Sequence, residues 1–174
     1  FRAGESNYQN AVSRNGISTF TRDNQGSREA QALSIVRKYF PTASSNNPQV
    51  KVNLLWGTPT NARRIAVVQF AKNALARAGF DLNAPGLPNW ASQLSSNNWD
   101  AAIFAWARAD GSTERNLDYY CTDCGNNYMG YRDSIVDSSL STIRASYIQD
   151  DLLANNLITA ESQIYKNAWS LPLF

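Results

Sequence analysis

Apolar residues recur along this chain with two periods, and the switches between them mark out the elements. Residues 1–26 are polar and irregular, with Tyr8, Ile17 and Phe20 as sparse apolar anchors. Over 28–40, Ala32, Leu33, Val36 and Phe40 form one stripe at helical spacing. Ser27 stands where a cap is needed and Pro41 stops the helix. Residues 42–49 are a loop by composition. From residue 50 the period becomes two: Val50, Val52 and Leu54 alternate, with Leu55 and Trp56 assigned to the other side. Thr58-Pro59 then predicts a helix start, with Thr as cap and Pro at the first helical position. Ile65, Val68, Ala71, Leu75 and Ala78 keep an apolar face as far as Gly79, which ends it.

Phe80-Asp81-Leu82 reads as a second short strand, and 88–96 as a short helix carrying Trp90 and Leu94. Residues 99–106 read as a third strand, nearly continuous in apolar residues, as for a strand covered on both faces. A β-α-β-α-β order predicts a parallel sheet with right-handed crossovers. Ligand crevices in such sheets lie outside the carboxyl ends of the strands, which brings 56–58, 83–90 and 106–110 near one edge. Residues 107–132 form a long loop with aromatics at Tyr119, Tyr120, Tyr128 and Tyr131. Asp133 caps a helix with Val136, Leu140 and Ile143 inside. A final helix carries Leu153, Leu157, Ala160, Ile164 and Ala168 on one face, and Pro172 ends the fold. The domain layout is a single lobe over 1–174. It comprises an irregular segment plus helix (1–49), a βαβαβ core (50–106), an aromatic loop (107–132) and a helical tail (133–174).

Composition narrows the function. The hydrophobic share is 43% and the charged share 17%, which fits a globular chain. Net charge is +2, and the longest basic runs are the pairs Arg37-Lys38 and Arg63-Arg64. That is no clustered basic face, so no nucleic-acid partner is expected. No apolar run approaches the ~20 residues of a membrane span. There are no histidines at all. The usual general base, the Ser/His and Cys/His pairs and the commonest metal ligand are therefore missing. Hydrolase and metalloenzyme readings lose weight accordingly, while carboxylate or lysine chemistry stays open. The start Phe1-Arg2-Ala3-Gly4-Glu5 lacks signal-peptide features, and the chain stops on Leu171-Pro172-Leu173-Phe174. Both ends read as cut, so the expectation is a fragment of a longer protein.

Cys121 and Cys124 are the only cysteines, in the run Cys-Thr-Asp-Cys. A structural disulfide is the favoured reading, stiffening the loop locally. A redox dithiol would want a helix N-terminus or a basic neighbour to acidify the thiol, and the nearby Asp118 and Asp123 do the reverse. Half a zinc site needs further ligands that two thiolates cannot supply.

Three blocks in order carry a family resemblance. The first is Val52-Asn53-Leu54-Leu55-Trp56, then Asn61-Ala62-Arg63-Arg64-Ile65 and the run to Ala78-Gly79-Phe80. The second is Trp99-Asp100 and the strand to Trp106. The third runs from Asn127-Tyr128 through Tyr131, Asp133 and Val136-Asp137 to Leu171-Pro172-Leu173-Phe174. Together they resemble the C-terminal lobe of bacterial extracellular solute-binding protein family 5, the oligopeptide- and dipeptide-binding components of ABC transporters. The resemblance covers residues 50–174. It implies an α/β lobe of the type-II periplasmic-binding class, a mostly parallel sheet flanked by helices, and no catalytic residue, cofactor or metal.

In peptide-binding members of that family, an acid just after the third strand holds the peptide's amino terminus. Trp106 matches the tryptophan that ends the strand, and Asp110 is the candidate acid, four residues on where the family has three. Trp90 is similar to the family's tryptophan on the short helix. Trp56 ends a strand facing the expected crevice, and Arg108 is placed to meet Asp110 or a ligand carboxylate. Trp99 is expected in the core.

The implied function is one jaw of an extracytoplasmic receptor, lipid-anchored in its full-length form. It captures a peptide or similar small solute and presents it to an ABC permease, with an N-terminal lobe as the other jaw. The alternatives are the same fold binding a metal chelate, an oligosaccharide or a signalling peptide, a thiol oxidoreductase using Cys121 and Cys124, or an adhesion module.

Overall fold

A computed structural model describes residues 8–19, 25–104, 118–145 and 150–171. Contacts divide the chain into two compact units, Asp23–Ala107 and Phe1–Arg22 with Arg108–Phe174.

The first unit holds a three-stranded parallel sheet in the order β2-β1-β3, built from β1 (Val50–Trp56), β2 (Phe80–Asn83) and β3 (Ala101–Ile103). Val50 pairs with Phe80 and Leu54 with Ala101, so β3 meets the second half of β1. The helix α2 spans Gln25–Arg37. It starts ahead of the expected Ser27 cap and stops at Arg37, short of Phe40. Its Val36 is buried, while Phe40 is 42% exposed.

Helix α3 (Ala62–Arg77) covers one face of the sheet. Leu54, Trp56, Leu82 and Val68 form its core, with Val52, Ala71 and Leu75 packed around them. Trp56 therefore keeps the alternation of Val52 and Leu54 rather than joining Leu55 on the other side. Burying such side chains contributes ~1.5–3 kcal/mol each, which is what seats α3 on the sheet. Ile65, expected on the same stripe, lies one turn too early and is 45% exposed.

The start of α3 also differs from the expectation. Asn61 is the cap, its side-chain oxygen accepting the Arg64 N–H at 3.0 Å. Thr58 has φ +57° and its carbonyl accepts the Asn61 N–H, so Thr58-Pro59 forms the turn before the helix. After β2 come α4 (Trp90–Gln93) and a 3-10 turn over Leu94–Ser96. Asp100 locks the third strand in place. Its carboxylate accepts the Asn53 N–H at 2.7 Å, and its own N–H bonds the Asn53 carbonyl at 2.9 Å.

The second unit is helical. It contains α1 (Tyr8–Arg14), α5 (Ser134–Ala145) and α6 (Asp150–Lys166). Val136, Leu140 and Ile143 face Ala160 and Ile164 across a shared core, joined by Cys121. Leu153 and Leu157 pack against it as the periodicity predicts. Ala168 does not: it lies past the helix end, exposed, at φ +54°. Asp133 caps α5 as expected, accepting the Ile135 and Val136 N–H groups at 2.8 and 3.1 Å.

The segment before α5 is held by side chains of the third sequence block. The Asn127 amide donates to the carbonyls of Cys121, Thr122 and Tyr131 at 3.0, 3.3 and 2.9 Å, and its oxygen accepts the Tyr131 N–H at 3.0 Å. Asp137 accepts from the Thr122 N–H and hydroxyl. The Tyr131 ring stacks on Trp169 at 4.3 Å and on Tyr120 at 6.0 Å. Burial pushes the Tyr131 phenol up to about 12, so it stays neutral. Cys121 and Cys124 are joined, their Cα atoms 5.4 Å apart. No helix among the described residues is long and apolar enough to cross a membrane.

Candidate functional site

The carboxyl end of β1 gathers the groups best suited to meet a ligand. The chain leaves the strand at Trp56, passes Gly57 and Thr58, and turns into α3. The loop after β2 returns here, with the Leu87 N–H bonded to the Trp56 carbonyl at 2.9 Å. That bond carries the chain directly into α4 and sets Trp90 against the strand exit.

Trp90 lies flat on Gly57. A methyl group at residue 57 would stand 1.8 Å from Trp90 Cδ1, so only hydrogen fits beneath the ring. The other side of this shelf is aromatic and cationic. Phe104, just beyond β3, stacks with Trp90 at 6.1 Å and 23° between planes. The Arg64 guanidinium sits 5.9 Å from the Trp90 ring centroid. It is oriented by bonds from Nη1 to the Gly57 carbonyl at 3.0 Å and to Thr58 Oγ1 at 3.2 Å. Arg64 is in the first turn of α3, so the helix's free N–H end adds to the positive potential. An aromatic plane beside an oriented guanidinium suits a flat or carboxylate-bearing solute, because the fork can pair with a carboxylate in two places.

The expected site residues fall out as follows. Trp90 and the 56–58 segment come together at the predicted edge of the sheet. Trp56 is there too, but 6% exposed, with its indole N–H donated to the Ala84 carbonyl at 3.2 Å and its ring under Gly86. It forms the floor under the shelf and offers no free polar atom. Trp106, Arg108 and Asp110 lie outside the described residues. Trp99 is half-buried, bonding the Leu94 carbonyl at 3.2 Å, and lines a shallow hollow of about 120 Å³ with Asn53, Asn83 and Gln93.

Arg64 and Phe104 are the residues that sequence reasoning did not single out. Arg64 carried one available signal: it falls in the first turn of a helix that follows a strand, at the edge where the crevice was expected. Phe104 carried none beyond its place in the third strand.

No protein-family model matches the chain, and no curated protein sequence matches it. Solved structures do. The chain is similar to a peptide-binding protein of a peptide ABC transporter, at TM-score 0.63 and 16% identity over 81% of this chain and 61% of that one. It is similar to NikA from Staphylococcus aureus in complex with Ni(L-His)2, at TM-score 0.61 and 16% identity over 78% and 30%. It is similar to Haemophilus influenzae OppA in complex with the peptide RPPGFSPFR, at TM-score 0.61 and 15% identity over 84% and 28%. At these identities the likeness is one of fold: this is the α/β architecture of a solute-binding-protein lobe. The chain spans between about a quarter and three fifths of the length of these neighbours.

Proposed function

We propose that this chain is the ligand-binding lobe of an extracytoplasmic solute-binding protein and performs no catalysis. The observation that carries the reading is the shelf at the strand exit: Trp90 on Gly57, with Phe104 and Arg64 beside it. It stands where open parallel sheets place their ligands, and the fold likeness to peptide- and nickel-chelate-bound receptors supports it. On this reading a second lobe outside these residues closes over the solute. The closed form then engages an ABC permease, and the solute shifts the open–closed balance by binding the closed form better.

The solute is a peptide or a similar small molecule carrying a carboxylate. Trp90 supplies rigid contact area at low entropic cost, and Arg64 supplies the charge. A metal chelate with free carboxylates satisfies the same groups, and the staphylococcal neighbour is in complex with the chelate Ni(L-His)2.

Tryptophan fluorescence of the full-length protein, titrated with trialanine and separately with Ni(L-His)2, tests the reading. A saturable change with either probe is expected, and Trp90→Ala weakens it at least roughly tenfold, about 1.4 kcal/mol. Unchanged affinity in Trp90→Ala, or no response to either probe, contradicts it.

A further inference from the structure

The disulfide in the second unit has a neighbour that the sequence did not reveal. Arg144, in the last turn of α5, places Nη2 3.4 Å from Cys121 Sγ and 3.7 Å from Cys124 Sγ. The same nitrogen pairs with Asp118 at 2.6 Å. Cys121 is buried in the helical core, while Cys124 is half-buried at its edge.

We propose that Cys121 and Cys124 form a thiol–disulfide exchange site. In it Cys124 is the sulfur attacked by a small solvent thiol, and Cys121 leaves as a thiolate held by Arg144. A disulfide sulfur carries no charge, so the guanidinium gains little from it. A thiolate at the same place gains a full charge pair in a partly desolvated setting. Arg144 therefore favours the reduced form, and Asp118 offsets part of that preference by occupying the same cation.

Exposure and distance agree on the direction of attack. The reachable sulfur is Cys124, and the sulfur nearer the cation is Cys121, the better leaving group. An incoming thiolate bonds to Cys124 Sγ, the Cys121–Cys124 bond breaks, and its electron pair goes to Cys121 Sγ. A second thiolate then attacks the thiol's sulfur in the mixed disulfide. It releases Cys124 as a thiolate and leaves the two small thiols as their disulfide. Two electrons pass from the thiols to the protein, and the released thiolates take protons from solvent.

Among the described residues, other charged or titratable groups near the pair have surroundings of their own. Asp123 faces Arg132 at 3.7 Å. Asp137 is held by Thr122. On α6, Glu161 accepts from Asn15 at 2.8 Å. Burial raises the phenols of Tyr120 and Tyr165, which stay neutral. Arg144 is the described cation that touches the sulfurs.

The test equilibrates the native chain with reduced and oxidised glutathione, then quenches with acid and counts thiols by alkylation and mass. Wild type exchanges without denaturant. Arg144→Gln shifts the equilibrium toward the disulfide by roughly three- to tenfold, the size of up to one unit of thiol acidity. Asp118→Asn shifts it the other way, and Arg144→Lys stays within about twofold of wild type because it keeps the charge. The Arg144→Gln effect is larger at pH 8 than at pH 6. A thiol acidified by a cation favours the reduced form above its lowered pKa and loses that advantage as pH falls through it. A purely structural Arg144–Asp118 pair predicts that both neutral variants loosen the loop and shift the equilibrium in the same direction. That result, no shift in either, or exchange only in denaturant overturns the proposal.

Discussion

Asn127→Ala is expected to lower the stability of the helical unit by about 3 kcal/mol. One side chain ties backbone groups from residue 121 to residue 131: its two N–H groups are shared among three carbonyls and its oxygen accepts one N–H, the equivalent of three full hydrogen bonds. Each such bond contributes ~1 kcal/mol net, and a polar group left unpaired in a partly buried place costs more. Partial access of water to the freed carbonyls limits the total. At ~2–4 °C per kcal/mol for a chain of this size, the melting temperature falls by about 6–12 °C. The neighbouring Asn126, whose side chain enters none of these bonds, serves as control: Asn126→Ala stays within ~0.5 kcal/mol. Calorimetry of the two variants side by side checks the prediction, and equal losses would remove Asn127 from its role.

Asn127 also explains why the third sequence block was readable. Five of its residues have an intramolecular task. Asn127 ties the loop, Tyr131 stacks on Trp169, Asp133 caps α5, Val136 is fully buried and Asp137 fastens Thr122. Asp100 in the second block does likewise by locking β3 to β1. The motifs that carry the resemblance describe the scaffold, which is why they predict the fold well and the ligand poorly.

The second large effect is expected at Gly57. Gly57→Ala places a carbon 1.8 Å from Trp90 Cδ1, and neither the strand exit nor the Leu87–Trp56 bond leaves room to absorb it. The ring must leave the shelf, losing its stack on Phe104 and its contact with Arg64. Overpacking of this kind costs ~1–3 kcal/mol of stability, so the unit still folds. Solute affinity falls more sharply, at least roughly tenfold, because both contact area and guanidinium orientation are disturbed. Circular dichroism and a binding isotherm on the same sample separate the two effects. A variant that binds like wild type would show that the shelf is not where the solute rests.

Gly57 marks the limit of what the sequence disclosed about the site. Trp90 was singled out by its resemblance to the family's tryptophan on the short helix, and the structure sets it against the strand exit at Gly57. The glycine beneath it was not legible, since its role is an absent side chain at a contact between distant segments. Thr58-Pro59 misled for a related reason. The pair fits a helix start by type, but the chain needs a turn there, Thr58 adopts φ +57°, and Asn61 takes over as cap. Arg144 beside the disulfide was hidden in the same way. It lies 20 residues from Cys124 and is brought there by the packing of α5.

Native mass spectrometry of the full-length protein carrying this lobe, purified gently and without ligand exchange, is the most direct test of the central claim. A population shifted by a small releasable mass, one that fragments as a short peptide or resolves as one defined solute, is the predicted result. Protein that carries no such mass, and takes up neither trialanine nor Ni(L-His)2 when they are added, would contradict the solute-binding account.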